Sequence, residues 1–520
     1  MTLSRTPITP NGPSQDDDPE TFGRREQDWR NGAIVYQVLV DRFAPSAQLD
    51  AKRALYPPPK VLREWSETPQ RGVYLREAKV SSHELEFWGG DFASLRSRLD
   101  HIQALGATVL YLNPIHLATT NHKYDALDFL QISPEFGTRE DFLRLVADVH
   151  ARGMKLVLDG VFNHMGRNAP VFQDALANPN SPWRDWFAIG PQYAGGARAW
   201  VGFQNLPELA LENPAVRAYL YADPDSVVRR YLRDGADGWR LDTAFELGPE
   251  YLRELTRAAH QEKPGSLVVG EIVNYPGAWL DSIDAVMNFN LRQIVLGLAA
   301  GDIAPSPACR MLERQVNEAG SAGIEALLKS WVVIDNHDIP RIATQIPRES
   351  LRRMVQVLQF TLPGAPNIYY GSEVGMTGGD DPENRGPMRW DLVREDNPEL
   401  LWMRKLIALR QQRRALRVGN FRLAEANRLL AFERTTDRAL ETTIVLANPA
   451  DRAITERVLL ANAFLMDDTP LVDALAPAEL PPVCNVQAGF ITVTVPPESA
   501  LVLLPRERSL GGYSRYKRVR

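Results

Sequence analysis

Short apolar runs alternating with longer amphipathic segments predict an α/β chain: a (β/α)₈ TIM barrel with a domain B insertion after strand 3 and a C-terminal all-β sandwich domain. Three observations carry this expectation. Eight apolar runs of strand length can be placed along the first four-fifths of the 520 residues. No phosphate-binding glycine fingerprint of an open nucleotide-binding sheet follows the first run. After a helical segment near 398–416 the pattern changes to closely spaced β segments.

The eight runs are 34–40, 107–112, 154–159, 238–241, 267–271, 285–289, 331–335 and 367–370. Between them, 92–105, 139–152, 216–234 and 249–260 have helical periodicity, several ending in glycine as helices often do. The stretch from 163 to 220 is too long for a plain crossover and holds Trp183, Trp186, Phe187, Tyr193, Trp200 and Phe203. Insertions of that length in barrels usually serve function, although the rings could equally form a small core of their own. Segments 421–425, 429–434, 443–447, 490–495 and 499–504 read as strands of a separate sandwich. The expected organisation is a disordered tail over 1–30, a catalytic barrel over 31–415 containing the 163–215 insertion, a β-sandwich over 416–506 and a basic, solvated tail over 507–520.

Composition narrows the function. A balance of 44% hydrophobic and 24% charged residues is that of an ordinary globular protein, and a net charge of -6 gives no reason to expect nucleic acid. No run of 18 uncharged apolar residues occurs, which argues against a membrane helix. Residues 1–20 show no basic segment followed by an apolar stretch, so a cytoplasmic location is expected. Cys309 and Cys484 stand far apart with no histidine cluster, which suggests free thiols and no metal site.

In a barrel the C-terminal ends of the strands form the active site, and the polar residues fall at those ends. The third run finishes in Asp159 through His164, the fourth in Arg240 and Asp242, the fifth in Glu271, and the seventh in Asp335, Asn336, His337 and Asp338. Arg240 and Asp242 are two apart and leave one strand face, so the guanidinium is expected to keep Asp242 ionised as a nucleophile. Glu271 follows an apolar run, and desolvation beside another carboxylate should raise its pKa as a general acid requires. Asp338 would bond sugar hydroxyls, with His164 and His337 clamping the same ring. Singly, each feature is more simply a buried ion pair or a polar loop. Together, at four strand ends, they favour a retaining glycosidase, whose carboxylates stand about 5 to 5.5 Å apart.

The motifs resemble those of the α-amylase superfamily, in its cyclomaltodextrinase, neopullulanase and maltogenic amylase-like branch. They are Tyr36 and Gln37 through Asp41, Arg42, Phe43; Trp88 through Asp91; Asn121 through Asp125; Asp159 through His164; Gly238 through Asp242; Gly270 and Glu271; Asn336 through Asp338 with Arg341; and Gly378 through Arg385. The resemblance implies Asp242 as nucleophile, Glu271 as acid/base and Asp338 as third carboxylate. It implies substrate binding by Tyr124, stacked beneath the sugar, and by His164, His337, Arg341, Asp381 and Arg385, with Asp159 and Arg240 supporting the centre. The expected partner is an α-glucan, linear or cyclic, hydrolysed with some glycosyl transfer. Alternatives are a transglycosylase or trehalose-forming isomerase and, less favoured, a non-catalytic glucan-binding scaffold.

Departures from the branch matter as well. About thirty residues precede the first strand where relatives often carry a dimerising β domain, so a homo-oligomer is left open. Ala44 through Leu49 replace the usual calcium-binding Asn and Asp cluster, leaving Asp50 and Asp91 as isolated oxygens. Six to eight oxygens are needed, so no cofactor is expected to be required and the branch's calcium site is expected to be lost. Asn163 matches a ligand position of another family calcium site. Ala210 and Phe245 stand where relatives carry Asn, which bears on subsite specificity.

Overall fold

The computed structural model describes residues 18–477, 480–507 and 511–519. Eight parallel strands close into a barrel: β1 (Val35–Val38), β2 (Val109–Leu112), β3 (Lys155–Gly160), β4 (Gly238–Leu241), β5 (Leu267–Ile272), β6 (Ala285–Asn288), β7 (Trp331–Val333) and β8 (Ala365–Tyr369). Each is hydrogen-bonded to its sequence neighbours and β8 returns to β1. Seven of the eight strands are buried along their whole length, as expected when helices cover a parallel sheet outside and side chains fill it inside. Val35, Tyr111, Val157, Val269, Met287 and Trp331 belong to one packed interior cluster, so the barrel is a core and no pore runs through it.

Two helical segments depart from their expected extents. The segment read as one helix over 216–234 is instead Pro214–Arg217, a π turn Ala218–Ala222 and Val227–Arg233. Pro224 lacks an N–H and bars its predecessor Asp223 from helical ψ, which ends the turn; Asp223 is extended at φ -70, ψ 152. Likewise 92–105 divides into Phe92–Arg96 and Leu99–Leu105.

Residues 163–209 form the insertion, tied by isolated bridges His164 to Glu208, Phe187 to Leu209 and Ala199 to Pro207. Its aromatic rings divide the two expected roles. Trp186 and Phe187 are buried, with Trp183 edge-on to Trp186, in the main core; Trp200 and Phe203 line the cleft described below.

The C-terminal domain is a six-stranded sheet over a two-stranded one. The larger sheet runs in the order β9 (Asn420–Leu423), β10 (Leu430–Thr435), β11 (Thr443–Asn448), β16 (Ser499–Pro505), β13 (Pro470–Asp473) and β14 (Cys484–Asn485). The smaller pairs β12 (Ile454–Leu459) with β15 (Phe490–Val495), and alternate residues of both point into a core of Ile444, Leu446, Val458, Ile491 and Leu503. β12 and β13 are not evident in the sequence because β12 carries three consecutive polar residues, Thr455, Glu456 and Arg457, and β13 is only four residues long and opens on a proline.

Both ends differ from the solvated tails expected. Residues 1–17 lie outside the described residues, but Pro19–Gln27 is a helix capped by Asp18, with Phe22 and Arg25 buried against the barrel and β9. At the other end Tyr516 is buried, its hydroxyl accepting from Met466 N at 3.0 Å and meeting Thr469 Oγ1 at 2.6 Å. A phenol with an apolar body and a partnered tip is enough to dock a basic segment.

Candidate active site

The register of three adjacent strands places the charged groups. Arg240 on β4 pairs with Asp159 on β3 and with Val269 on β5, and Leu241 pairs with Gly270, so Asp242 and Glu271 emerge side by side one residue later. Gly270 fits closely there: a Cβ would lie 2.5 Å from Ile283 Cδ1 and 3.0 Å from Ala244 Cβ, so these side chains would have to shift. The chain turns immediately after Asp242, with Thr243 in the left-handed region at φ 41 and its N–H donating to Glu271 Oε2 at 2.9 Å. A non-glycine residue held in that conformation marks a segment fixed by its surroundings.

Arg240 is fully buried and joins three carboxylates. Its Nη1 contacts Asp159 Oδ1 at 2.8 Å and Asp242 Oδ1 at 3.0 Å, and its Nη2 contacts Glu271 Oε2 at 3.0 Å. Asp159 also accepts from Tyr111 Oη at 2.6 Å and Tyr124 Oη at 2.9 Å. The two carboxylates expected to do chemistry therefore sit on the two terminal nitrogens of one guanidinium and line the same cavity. Asp338 stands more open at the rim, with Arg385 Nη2 on its Oδ1 at 3.3 Å. Arg385 also pairs with Asp381 at 3.3 Å.

Protonation follows from sharing. Burial pushes the Asp242 carboxyl well above the usual range, and Glu271, Asp159 and Asp338 reinforce this against Arg240. Burial also raises Glu271, aided by Asp338 and opposed by Arg240 and the Thr243 N–H. The rise at Glu271 agrees with expectation. Asp242 is raised too, since one guanidinium is divided among three carboxylates and offsets its burial only in part. The carboxyl groups are coupled through that guanidinium and titrate as a set.

His337 is buried and burial holds its imidazole well below the usual value, with Arg385 and Arg240 adding to the effect. Asn367 Nδ2 donates to Gln37 Oε1 at 3.0 Å, so the Gln37 amide N–H faces His337 Nδ1, at 2.9 Å. The proton of His337 is thereby placed on Nε2, which lies 2.5 Å from Tyr124 Oη and 3.2 Å from Asp338 Oδ2. Asn113 Nδ2 adds a bond to Tyr124 Oη at 3.0 Å.

A cleft of about 770 Å³ opens over these groups, lined by Tyr124, His164, Asp242, Glu271, Asp338, Asp381 and Arg385 among others. His164 stacks on Trp200 at 5.5 Å, and burial lowers its pKa to about 3, so it meets the cleft as a neutral ring. Asp159, Arg240 and His337 lie beneath the cleft and act through their neighbours. Arg341 is a correction. It is fully buried, donates to Tyr370 O at 2.7 Å and lies over the rings of Tyr369 and Tyr370, so it braces the end of β8 and does not reach a sugar.

Other motif residues are architectural. Asp41 accepts from Gly89 N at 2.9 Å and pairs with Arg42 at 2.7 Å, and Arg42 lies 3.9 Å over Trp88. A Cβ on Gly90 would strike Val40 O at 2.2 Å. Asp91, one of the two isolated oxygens, is bound by the Lys52 ammonium at 2.9 Å, and Lys52 also donates to Gly89 O at 3.2 Å. Asp50 pairs with exposed Arg53, and Asn163 Nδ2 donates to Glu246 Oε2 at 3.2 Å. An ammonium where a dication would need anionic oxygens does not fit calcium. Among the described residues no group of three His, Cys, Asp or Glu is placed to hold a metal ion. Residues that the sequence reading gave no role include Tyr111, Asn113 and Thr243; a tyrosine inside an apolar strand reads as core, and nothing in the chain announces a partner 48 residues away.

The model of the alpha amylase catalytic domain matches residues 37–397. A cyclomaltodextrinase from a Bacillus species is 35% identical over 435 residues, 81% of this chain and 73% of that protein. The intracellular maltogenic amylase of Bacillus subtilis is 31% identical over 433 residues, 81% of this chain and 69% of that one. Among solved structures, the cyclic α-maltosyl-(1→6)-maltose hydrolase of Arthrobacter globiformis superposes with a TM-score of 0.74 at 28% identity, covering 92% of this chain and 99% of that chain.

Proposed function

The chain belongs to the α-amylase family, and from that premise we propose that this glycoside hydrolase cleaves α-1,4 bonds of maltodextrins, cyclodextrins and starch fragments by double displacement. The observation that carries the reading is Arg240 holding Asp242 and Glu271 on its two terminal nitrogens, each at 3.0 Å. Two carboxyls coupled through one guanidinium suit a reaction that needs one group ionised and one protonated.

Asp242 attacks the anomeric carbon as Glu271 gives its proton to the glycosidic oxygen; the C–O bond breaks, the shortened glucan leaves and a glycosyl ester remains on Asp242. Water then attacks the same carbon, surrenders a proton to Glu271 and frees Asp242. A sugar hydroxyl in place of water gives transfer. Tyr124 provides a flat apolar face for the ring, its hydroxyl anchored on Asp159, while Asp338, His164 and the Arg385–Asp381 pair meet hydroxyls. No metal takes part in this scheme; the Lys52 ammonium on Asp91 supports that part of the reading.

An intracellular location is supported by the naming of the Bacillus subtilis relative, and no helix among the described residues is long and apolar enough to cross a membrane. The test is proton NMR of the first product from maltoheptaose, cyclodextrin and pullulan. The α-anomer is expected first from maltoheptaose; an initial β-anomer would sink double displacement. Products longer than the substrate, at the expense of glucose and maltose, would report transfer.

A further inference from the structure

The two walls of the cleft touch. One wall is the segment between β1 and the first barrel helix, which folds a hairpin of Tyr74–Leu75 against Val80–Ser81. The other is the insertion loop carrying Trp200, Phe203, Asn205 and Leu206. Residues of both walls line the same cavity as Asp242, Glu271 and Asp338. Lys79 Nζ donates to Gln204 Oε1 at 3.1 Å, joining hairpin to loop.

Neither tip hangs free. The hairpin is fixed by Ser82 N to Val73 O at 2.8 Å and Gly72 N to His83 Nδ1 at 3.1 Å. Asn121 Nδ2 docks its base through His83 O at 2.7 Å and Glu86 O at 2.8 Å. In the loop, Arg167 donates to Gln204 O at 3.3 Å and to Gly195 O at 2.9 Å. Each tip also holds a non-glycine residue in the left-handed region, Lys79 at φ 55 and the β-branched Val201 at φ 46. Such conformations persist only where surroundings impose them, and they collect at ligand clamps. Val201 is 72% exposed, Phe203 55% and Tyr74 59%, so apolar surface faces the opening on both sides of the contact.

We propose that the Lys79–Gln204 contact is a bridge across the cleft that admits chain ends and short linear glucans and disfavours a chain that must continue past it. The inference rests on the glucanase reading above and adds its specificity. A linear trisaccharide enters with the bridge closed. Amylose bound internally, or a cyclic glucan, needs the bridge open, and the lost hydrogen bond is charged against that substrate alone.

The experiment compares kcat/KM for maltotriose, cyclic maltoheptaose and amylose in the native protein and in Lys79→Ala, Gln204→Ala and Gln204→Glu. Either alanine variant is expected to raise the amylose-to-maltotriose and cyclic-to-maltotriose ratios about three- to tenfold, the range of the net contribution of an ordinary hydrogen bond at a partly exposed site. Gln204→Glu makes the bridge an ion pair, so both ratios should fall at low ionic strength and recover toward native as added salt screens it. Ratios within twofold of native in both alanine variants, with maltotriose still hydrolysed, would overturn the bridge and leave the glucanase reading standing. Failure of the native protein to hydrolyse any of the three would overturn both.

Discussion

Buried arginines occur at both ends of the barrel, and their partners differ in kind. At the mouth, burial pulls the Arg240 guanidinium down while Asp159 and Glu271 pull it up by more, leaving it raised. Below, where the barrel meets the C-terminal domain, Arg410 and Arg434 are equally buried but face carbonyl dipoles. Arg410 donates to Phe360 O at 2.9 Å and also to Gly364 O, and Arg434 donates to Thr361 O and Gly419 O at 2.8 Å and to Asn420 O at 3.3 Å. Burial pushes Arg410 down to about 9 and Arg434 well below its ordinary value. Carbonyls satisfy the donors and tie helix ends and strands together, but they hold no exchangeable proton. Carboxylates do, and at the mouth they face an open cleft. A buried cation is thus a staple where its partners are neutral and part of a titrating set where they are not.

The contrast is broken or sharpened most strongly by Asp242→Asn. At the mouth it should lower kcat by about 10⁴-fold or more, measured as reducing-end release, with glucan affinity retained. Glu271→Gln follows, at about 10²- to 10⁴-fold, the range of general acid catalysis. A seam substitution should do the opposite. Arg434→Met strands three carbonyls and is expected to cost about 2–4 kcal/mol in denaturant unfolding, while kcat/KM of the folded fraction stays within about twofold. A large loss of turnover there, without loss of stability, would erase the distinction.

Stability against pH gives a subtler reading. The folded pKa of Asp242 lies above its unfolded value, so its ionised form costs stability once pH exceeds the unfolded pKa of about 3.9, and fully so above the folded pKa. Asp242→Asn removes that cost: the variant should be more stable than native at neutral pH, with the gain shrinking as pH falls through the folded pKa and gone below about pH 4, where both states of the native carboxyl are protonated. A variant less stable at pH 7 would mean that Arg240 outweighs burial. The smallest effect is expected for Tyr111→Phe, which removes one of the donors to Asp159 and should cost about 1 kcal/mol with a modest fall in kcat.

Much of this was legible in the chain. Arg240, Asp242, Glu271 and Asp338 were found because a barrel places strand ends at its mouth and because two-residue spacing puts side chains on one face, rules that need no distant contact. Arg341 was misassigned since Asp338, three residues before it, does line the cleft, whereas its own guanidinium turns toward Tyr369 and Tyr370. The helix expected through 216–234 failed at a proline visible in the sequence, by giving periodicity more weight than Pro224. The docked ends around Phe22 and Tyr516 had only single aromatic residues to announce them.

The sequence by itself determined the strand count, the insertion, the sandwich and the carboxylates at the strand ends, since periodicity and residue chemistry are local. Only the tertiary structure decided how one guanidinium is divided among three acids, which nitrogen of His337 carries the proton, and that Lys79 meets Gln204 across the cleft. Those outcomes depend on groups brought together from separate strands and loops, and the energy of a charge or a proton is set by every neighbour it has in space.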